Sequence, residues 1–224
     1  MLAKIKSIVE VVFLSIIVLG IGLFGYAVSK YFHPPITAIA TSHDVNKLSP
    51  VVRLTNKAGR TYCSGVVVSP HTVITALHCV LEDVMLGMPI WRDEIYIRGV
   101  DGTGDGVLAT VSSSQPQLDE ATVTGDFSTY ESRKVITSIP KLIDQAQSGA
   151  VFISCGYPLG GSLYCGRLTY VGRINFMWLM KGTLLPGMSG GPTMLEDGTV
   201  IAINDAVQDD FSIISPTWNT PVNP

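Results

Sequence analysis

The sequence is poor in charge and shows no excess of basic residues. Only 15% of its 224 residues are Asp, Glu, Lys or Arg, the net charge is −3 and the isoelectric point is about 5.7. No broad positive field arises from that balance, so nucleic acid is not an expected partner. No Cys-x-x-Cys pair is present, which excludes a zinc-ribbon or thioredoxin-like site. A phosphate-binding glycine loop is missing as well. Neither a metal nor a cofactor is expected. There is no internal repeat and, beyond the N-terminal segment, no long helical periodicity, which leaves strands as the main element.

What is present begins with one apolar run. From Val11 to Val28, 18 residues carry no charge. Ile8 and Val9, across the single Glu10, extend the run to the ~20 residues a bilayer-spanning helix needs. Lys4 and Lys6 precede it, so the positive-inside rule expects a cytoplasmic N-terminus and a periplasmic or extracellular body. A cleaved signal peptide is the competing reading, with a small-residue site at Gly25-Tyr26-Ala27. The run exceeds the roughly 7–15 residues of a signal core, so residues 8–28 are expected to be a retained membrane contact. The cysteines fit export. Cys63, Cys79, Cys155 and Cys165 are an even set, and two bridges suit an oxidising compartment. Three pairings are open, and four buried thiols are the alternative.

After the run, His33-Pro34-Pro35 stops the helix. The expected division is an anchor over 1–33, a linker over 34–48, one folded domain over 49–215 and a tail over 216–224. The domain reads as all-β. Short β-branched runs recur at Val51–Leu54, Gly65–Val68, Thr72–Thr75, Val107–Val111, Val151–Ser154, Leu168–Val171 and Thr199–Ile203. Turn signals divide them, including Asn56–Arg60 and the Asp-Gly of Glu196-Asp197-Gly198. Residues 139–149 are expected to hold one short helical turn. Many short strands at this spacing mean a sandwich or barrels.

Among the four histidines, His33 and His43 lie in the linker and His71 in a turn after Ser69-Pro70. His78 ends a strand-like run directly before a cysteine, in Thr75-Ala76-Leu77-His78-Cys79. A lone histidine is ordinarily structural. A serine nucleophile, however, needs a base for its proton and donors for an oxyanion, and Pro186-Gly187-Met188-Ser189-Gly190-Gly191-Pro192 supplies a serine between glycines.

Read together, these stretches resemble the chymotrypsin-fold serine proteases. Cys63-Ser64-Gly65-Val66-Val67-Val68-Ser69-Pro70 with Thr72–Cys79 resembles the family's histidine block, and Gly187–Pro192 its serine block. Gly156-Tyr157-Pro158-Leu159-Gly160-Gly161 resembles a turn of the bacterial HtrA-type branch, here without a following PDZ domain. The three blocks stand in family order, over about 70% of the chain. The resemblance implies two six-stranded antiparallel β-barrels, preceded by the transmembrane helix, and a serine endopeptidase acting on proteins or peptides. It implies a Cys63–Cys79 bridge; a Cys155–Cys165 bridge rests on their spacing alone. His78 and Ser189 are carried over as base and nucleophile, with the amides of Gly187 and Ser189 as the oxyanion hole. For the third member, Asp126 is preferred, in Gly125-Asp126-Phe127-Ser128, and Asp119 is the competitor, since Asp119-Glu120-Ala121 also places a small residue two positions on. The primary pocket would use Thr183, six positions before the serine, with Asn204, Asp205 and Ala206 as its wall. Thr183 is not an acid, so a small or medium apolar preference is expected, with Asp205 leaving a basic one open. In digestive members an acid precedes the serine and pairs with a new N-terminus. Met188 cannot do so. A catalytically silent binding protein on the same fold is the alternative reading, and nothing bears on oligomeric state.

Overall fold

Short strands rich in Val, Ile and Thr leave unpaired edges unless a sheet closes on itself, and here two sheets do. The computed structural model describes residues 50–85, 88–100, 102–136, 147–208 and 210–217. The apolar run at 8–28, the linker, residues 139–146 of the expected helical turn and the end of the tail lie outside them. Among the described residues no helix is long and apolar enough to cross a membrane.

The first barrel closes in the order β1-β2-β3-β8-β7-β6. Its strands are β1 (Val51–Thr55), β2 (Thr61–Ser69), β3 (Thr72–Ala76), β6 (Ile95–Arg98), β7 (Val107–Gln115) and β8 (Glu120–Thr124). A two-stranded excursion, β4 (Leu81–Met85) with β5 (Met88–Trp91), leaves it after a single helical turn, α1 (Leu77–Val80). The second barrel closes as β10-β11-β14-β13-β12-β9. It comprises β9 (Val151–Gly156), β10 (Tyr164–Ile174), β11 (Met177–Lys181), β12 (Pro192–Met194), β13 (Val200–Gln208) and β14 (Phe211–Pro216). Two six-stranded antiparallel barrels are the fold expected from sequence. Both expected turns form: the amide of Gly59 bonds the carbonyl of Asn56, and that of Gly198 the carbonyl of Leu195.

Val52, Leu54, Val67, Val73, Ile97 and Val123 share the inner face of the first barrel and are fully buried, each worth about 1.5–3 kcal/mol of burial. The same cluster continues through Cys155, Tyr157, Val200 and Ile203 of the second barrel, so the two share one core. Phe152, Leu168, Trp178, Met180 and Ile214 fill the remainder of the second barrel. Polar contacts tie the barrels as well. Tyr157 Oη donates to the carbonyl of Val51 at 2.8 Å, and the Arg53 guanidinium lies over the Tyr157 ring while bonding the carbonyl of Gly160. Both disulfides form, Cys63–Cys79 and Cys155–Cys165, the second between residues directly opposite on β9 and β10.

Candidate functional site

α1 is one turn long, and its packing decides what it presents. Leu77, Cys79 and Val80 are buried, and Cys79 is bridged to Cys63 on β2. His78 is left facing outward, its side chain 47% exposed.

Strand register decides which acid meets it. β3 and β8 run antiparallel with Thr72 opposite Thr124 and Ala76 opposite Glu120. The start of β8 therefore lies beside the end of β3, where α1 begins. Asp119 occupies that spot and grips the turn three times. Its carbonyl accepts from the amide of Leu77 at 2.7 Å, Oδ1 from the amide of His78 at 2.9 Å, and Oδ2 meets His78 Nδ1 at 2.5 Å. It sits in the left-handed region at φ 46°, an uncommon conformation for a residue with a side chain and one that concentrates at functional sites.

Asp126, the preferred acid from sequence, follows the far end of β8. By strand rise that is roughly 20 Å from Asp119. It is exposed, its carboxylate accepts from the amide and hydroxyl of Ser128, and the histidine nearby is His71. The structure thus brings Asp119, not Asp126, to His78. Five residues of paired strand separate the two acids, and both satisfy the same local pattern.

A third carboxyl completes the group. Between Asn204 and Ala206 the β13–β14 register slips by one residue, making Asp205 a bulge. Its side chain, 10% exposed, turns toward His78, with Oδ1 3.9 Å from Nδ1 and the carboxyl in hydrogen-bond reach of Asp119. The bond to Asp119 outweighs burial and holds the His78 imidazole above its ordinary pKa. Burial raises Asp119, yet the bonds from His78 and Asp205 prevail and hold it below the usual carboxylate range. Asp205, desolvated and facing a second carboxylate, is pushed up to about 7. The side-chain donor atoms of His78, Asp119 and Asp205 all lie within 4.8 Å of one another.

Ser189 sits on a loop fixed from both barrels. Its carbonyl accepts from the amide of Ser64 on β2, and the Ser64 hydroxyl donates to the carbonyl of Gly187 at 2.7 Å while accepting from the amide of Tyr157. Gly187 has φ 93°, and a Cβ there would lie 2.6 Å from the carbonyl of Tyr157; a Cβ on Gly190, at φ 79°, would strike Ser64 and Thr75. Neither the amide of Gly187 nor that of Ser189 bonds a described residue. The Ser189 hydroxyl donates to the carbonyl of Asp205 at 3.1 Å.

Of the expected pocket residues, Thr183 and Ala206 are exposed, but Asn204 is fully buried and spent on the interior. Its amide nitrogen bonds the carbonyls of Cys155 and Met188, and its Oδ1 accepts from Ser154 and Thr193. Asn204 is a clamp beneath the serine loop and not a pocket wall. Met188 itself is buried in the second core. Two open grooves lie on the surface of the described residues. One of about 510 Å³ reaches Gly187 past Arg60, Tyr62 and Leu159; the other, about 440 Å³, is lined by Gln117, Ile174, Phe176, Met177 and Ile213.

A family model described as the trypsin-like peptidase domain matches residues 63–203, well over half of the chain. The chain belongs to the trypsin-like peptidase family. No curated protein sequence matches it. Among solved structures, this trypsin-like peptidase is similar to the active form of the Rv3671c protease from M. tuberculosis, at 20% identity and a TM-score of 0.57, covering 76% of this chain and 77% of that one. It is also similar to a serine endoprotease from Yersinia pestis, at 18% identity and a TM-score of 0.60, covering 79% and 64%. A third is the HtrA-type protease AlgW with a decapeptide, at 21% and 0.56, covering 70% and 48%. These structural likenesses show a shared fold.

Proposed function

We propose that the protein is a membrane-anchored serine endopeptidase using Ser189, His78 and Asp119. The observation that carries the reading is the His78–Asp119 bond beside a serine loop held by both barrels, in a chain of the trypsin-like peptidase family. Asp119 fixes the tautomer that leaves His78 Nε2 free to act as base. Ser189 Oγ, turned from the Asp205 carbonyl to His78, attacks a peptide carbonyl carbon as its proton passes to Nε2. The amides of Gly187 and Ser189 receive the resulting oxyanion. The imidazolium then protonates the departing amine, and a water activated by the same nitrogen hydrolyses the acyl-enzyme. In an enzyme without substrate, bonds of this kind are commonly open and tighten on binding.

The groove that reaches Gly187 past Arg60, Tyr62 and Leu159 suits an extended stretch of substrate chain and supports the endopeptidase reading. Burial of Met188 among apolar neighbours supports a site that needs no new N-terminus to pair beneath it. The uncharged run at Val11–Val28 and the two disulfides support a single-pass protein with its catalytic body outside the cytoplasm. A fluorophosphonate probe tests the reading: labelling is expected in the native protein and absent in Ser189→Ala and His78→Ala. Failure of the native protein to label would favour the silent binding protein.

A further inference from the structure

The residue least explained by this mechanism is Asp205, which touches both halves of the site. The bulge in β13 lets one residue hold Ser189 Oγ through its carbonyl while its carboxyl reaches Asp119 and His78. Two carboxyls in contact cannot both stay ionised cheaply, so one keeps a proton and donates it to the other. Asp119 already has both oxygens engaged by His78, which favours ionised Asp119 and protonated Asp205.

We infer that Asp205 is a positioning residue of this site: as a carboxylic acid it donates to Asp119 and steadies it against His78, and when ionised it becomes a second negative charge on the imidazole. The inference rests on the proposed Ser189–His78–Asp119 chemistry. The titratable groups facing Asp205 are His78 from α1 and Asp119 before β8; β14 contributes the buried Ser215 hydroxyl, which has no hydrogen bond of ordinary geometry. Its high pKa agrees with this arrangement, since burial and the Asp119 carboxylate both favour the neutral acid. The two charge states then act in opposite senses. Neutral Asp205 leaves His78 easier to deprotonate and ready as a base. Ionised Asp205 stabilises the imidazolium, so the two groups titrate as a pair.

The test compares Asp205→Asn, which keeps a donor and removes the titration, with Asp205→Ala, which removes both. The His78 imidazole is titrated by NMR, and the fluorophosphonate labelling rate is followed from pH 5 to 9. Asp205→Asn should lower the His78 midpoint by on the order of one pH unit and move the acid limb of labelling with it. Asp205→Ala should label roughly tenfold more slowly than Asp205→Asn across this range, since only the amide side chain still donates to Asp119. An unmoved His78 midpoint in Asp205→Asn would overturn the inference, and NMR reads it whether or not the protein labels. Absence of Ser189-dependent labelling in the native protein would instead defeat the catalytic reading on which it stands.

Discussion

Replacing Ser64 by Ala isolates what holds the serine loop in place. The Ser64 hydroxyl is fully buried and serves two backbone groups of the second barrel, donating to the carbonyl of Gly187 and accepting from the amide of Tyr157. Alanine removes one oxygen atom and leaves both groups without their partner. An unsatisfied buried group costs about 1–3 kcal/mol. The Tyr157 amide is enclosed and should bear the full cost, whereas the Gly187 carbonyl lies nearer solvent and should bear less. The sum is about 2–4 kcal/mol, or a fall in Tm of roughly 5–15 °C for a domain of this size. Gly187 also supplies one amide of the proposed oxyanion hole, and its carbonyl bond to Ser64 fixes the backbone between that amide and the amide of Ser189, so releasing it lets the two donors drift from the reacting oxygen. Fluorophosphonate labelling should slow by about 10- to 100-fold at temperatures where the variant is folded. Differential scanning calorimetry and timed labelling measure the two effects on one preparation. A Tm within 2 °C of the native value, with labelling unchanged, would refute the idea that Ser64 braces the loop.

Two further outcomes follow from the same geometry. The base must be neutral to accept a proton, and the bond to Asp119 raises the His78 pKa, so the labelling rate should reach half its maximum above pH ~6.5 and fall on acidification; a midpoint well below that value would contradict the bond. The Cys155–Cys165 bridge closes a ten-residue span, and replacing both cysteines with alanine should cost roughly 3 kcal/mol in urea unfolding, with no loss expected if the bridge is idle.

The strands and the two reactive blocks were legible because their signals are local. β-branched runs, Asp-Gly turns and the spacing of Cys63 to Cys79 are each contained in a few residues. The acid was not, because the choice between Asp119 and Asp126 is made by which end of β8 lies beside His78, and register is a property of two strands. Residues 118–121 do carry one usable hint, a Leu-Asp-Glu-Ala run entering a β-branched strand directly, whereas Asp126 comes after one. The clamping role of Asn204, expected in the pocket wall, and that of Ser64 were not legible for a related reason. Both side chains act on backbone groups 16 to 123 residues away, and a buried Asn or Ser has no signature until its partners are known. Asp205 is expected from sequence in the pocket wall, and its reach to His78 and Asp119 was not legible, because it depends on a bulge that re-aims the side chain.

The central claim is that Asp119, held by the start of β8, is the acid that makes His78 a base for Ser189. Its most direct test is the rate of Ser189 labelling by a fluorophosphonate in Asp119→Asn beside Asp126→Asn, at one pH near 8. The account expects a loss on the order of 10⁴ in Asp119→Asn and a native rate in Asp126→Asn. A native rate in Asp119→Asn, or a comparable loss in Asp126→Asn, would contradict it.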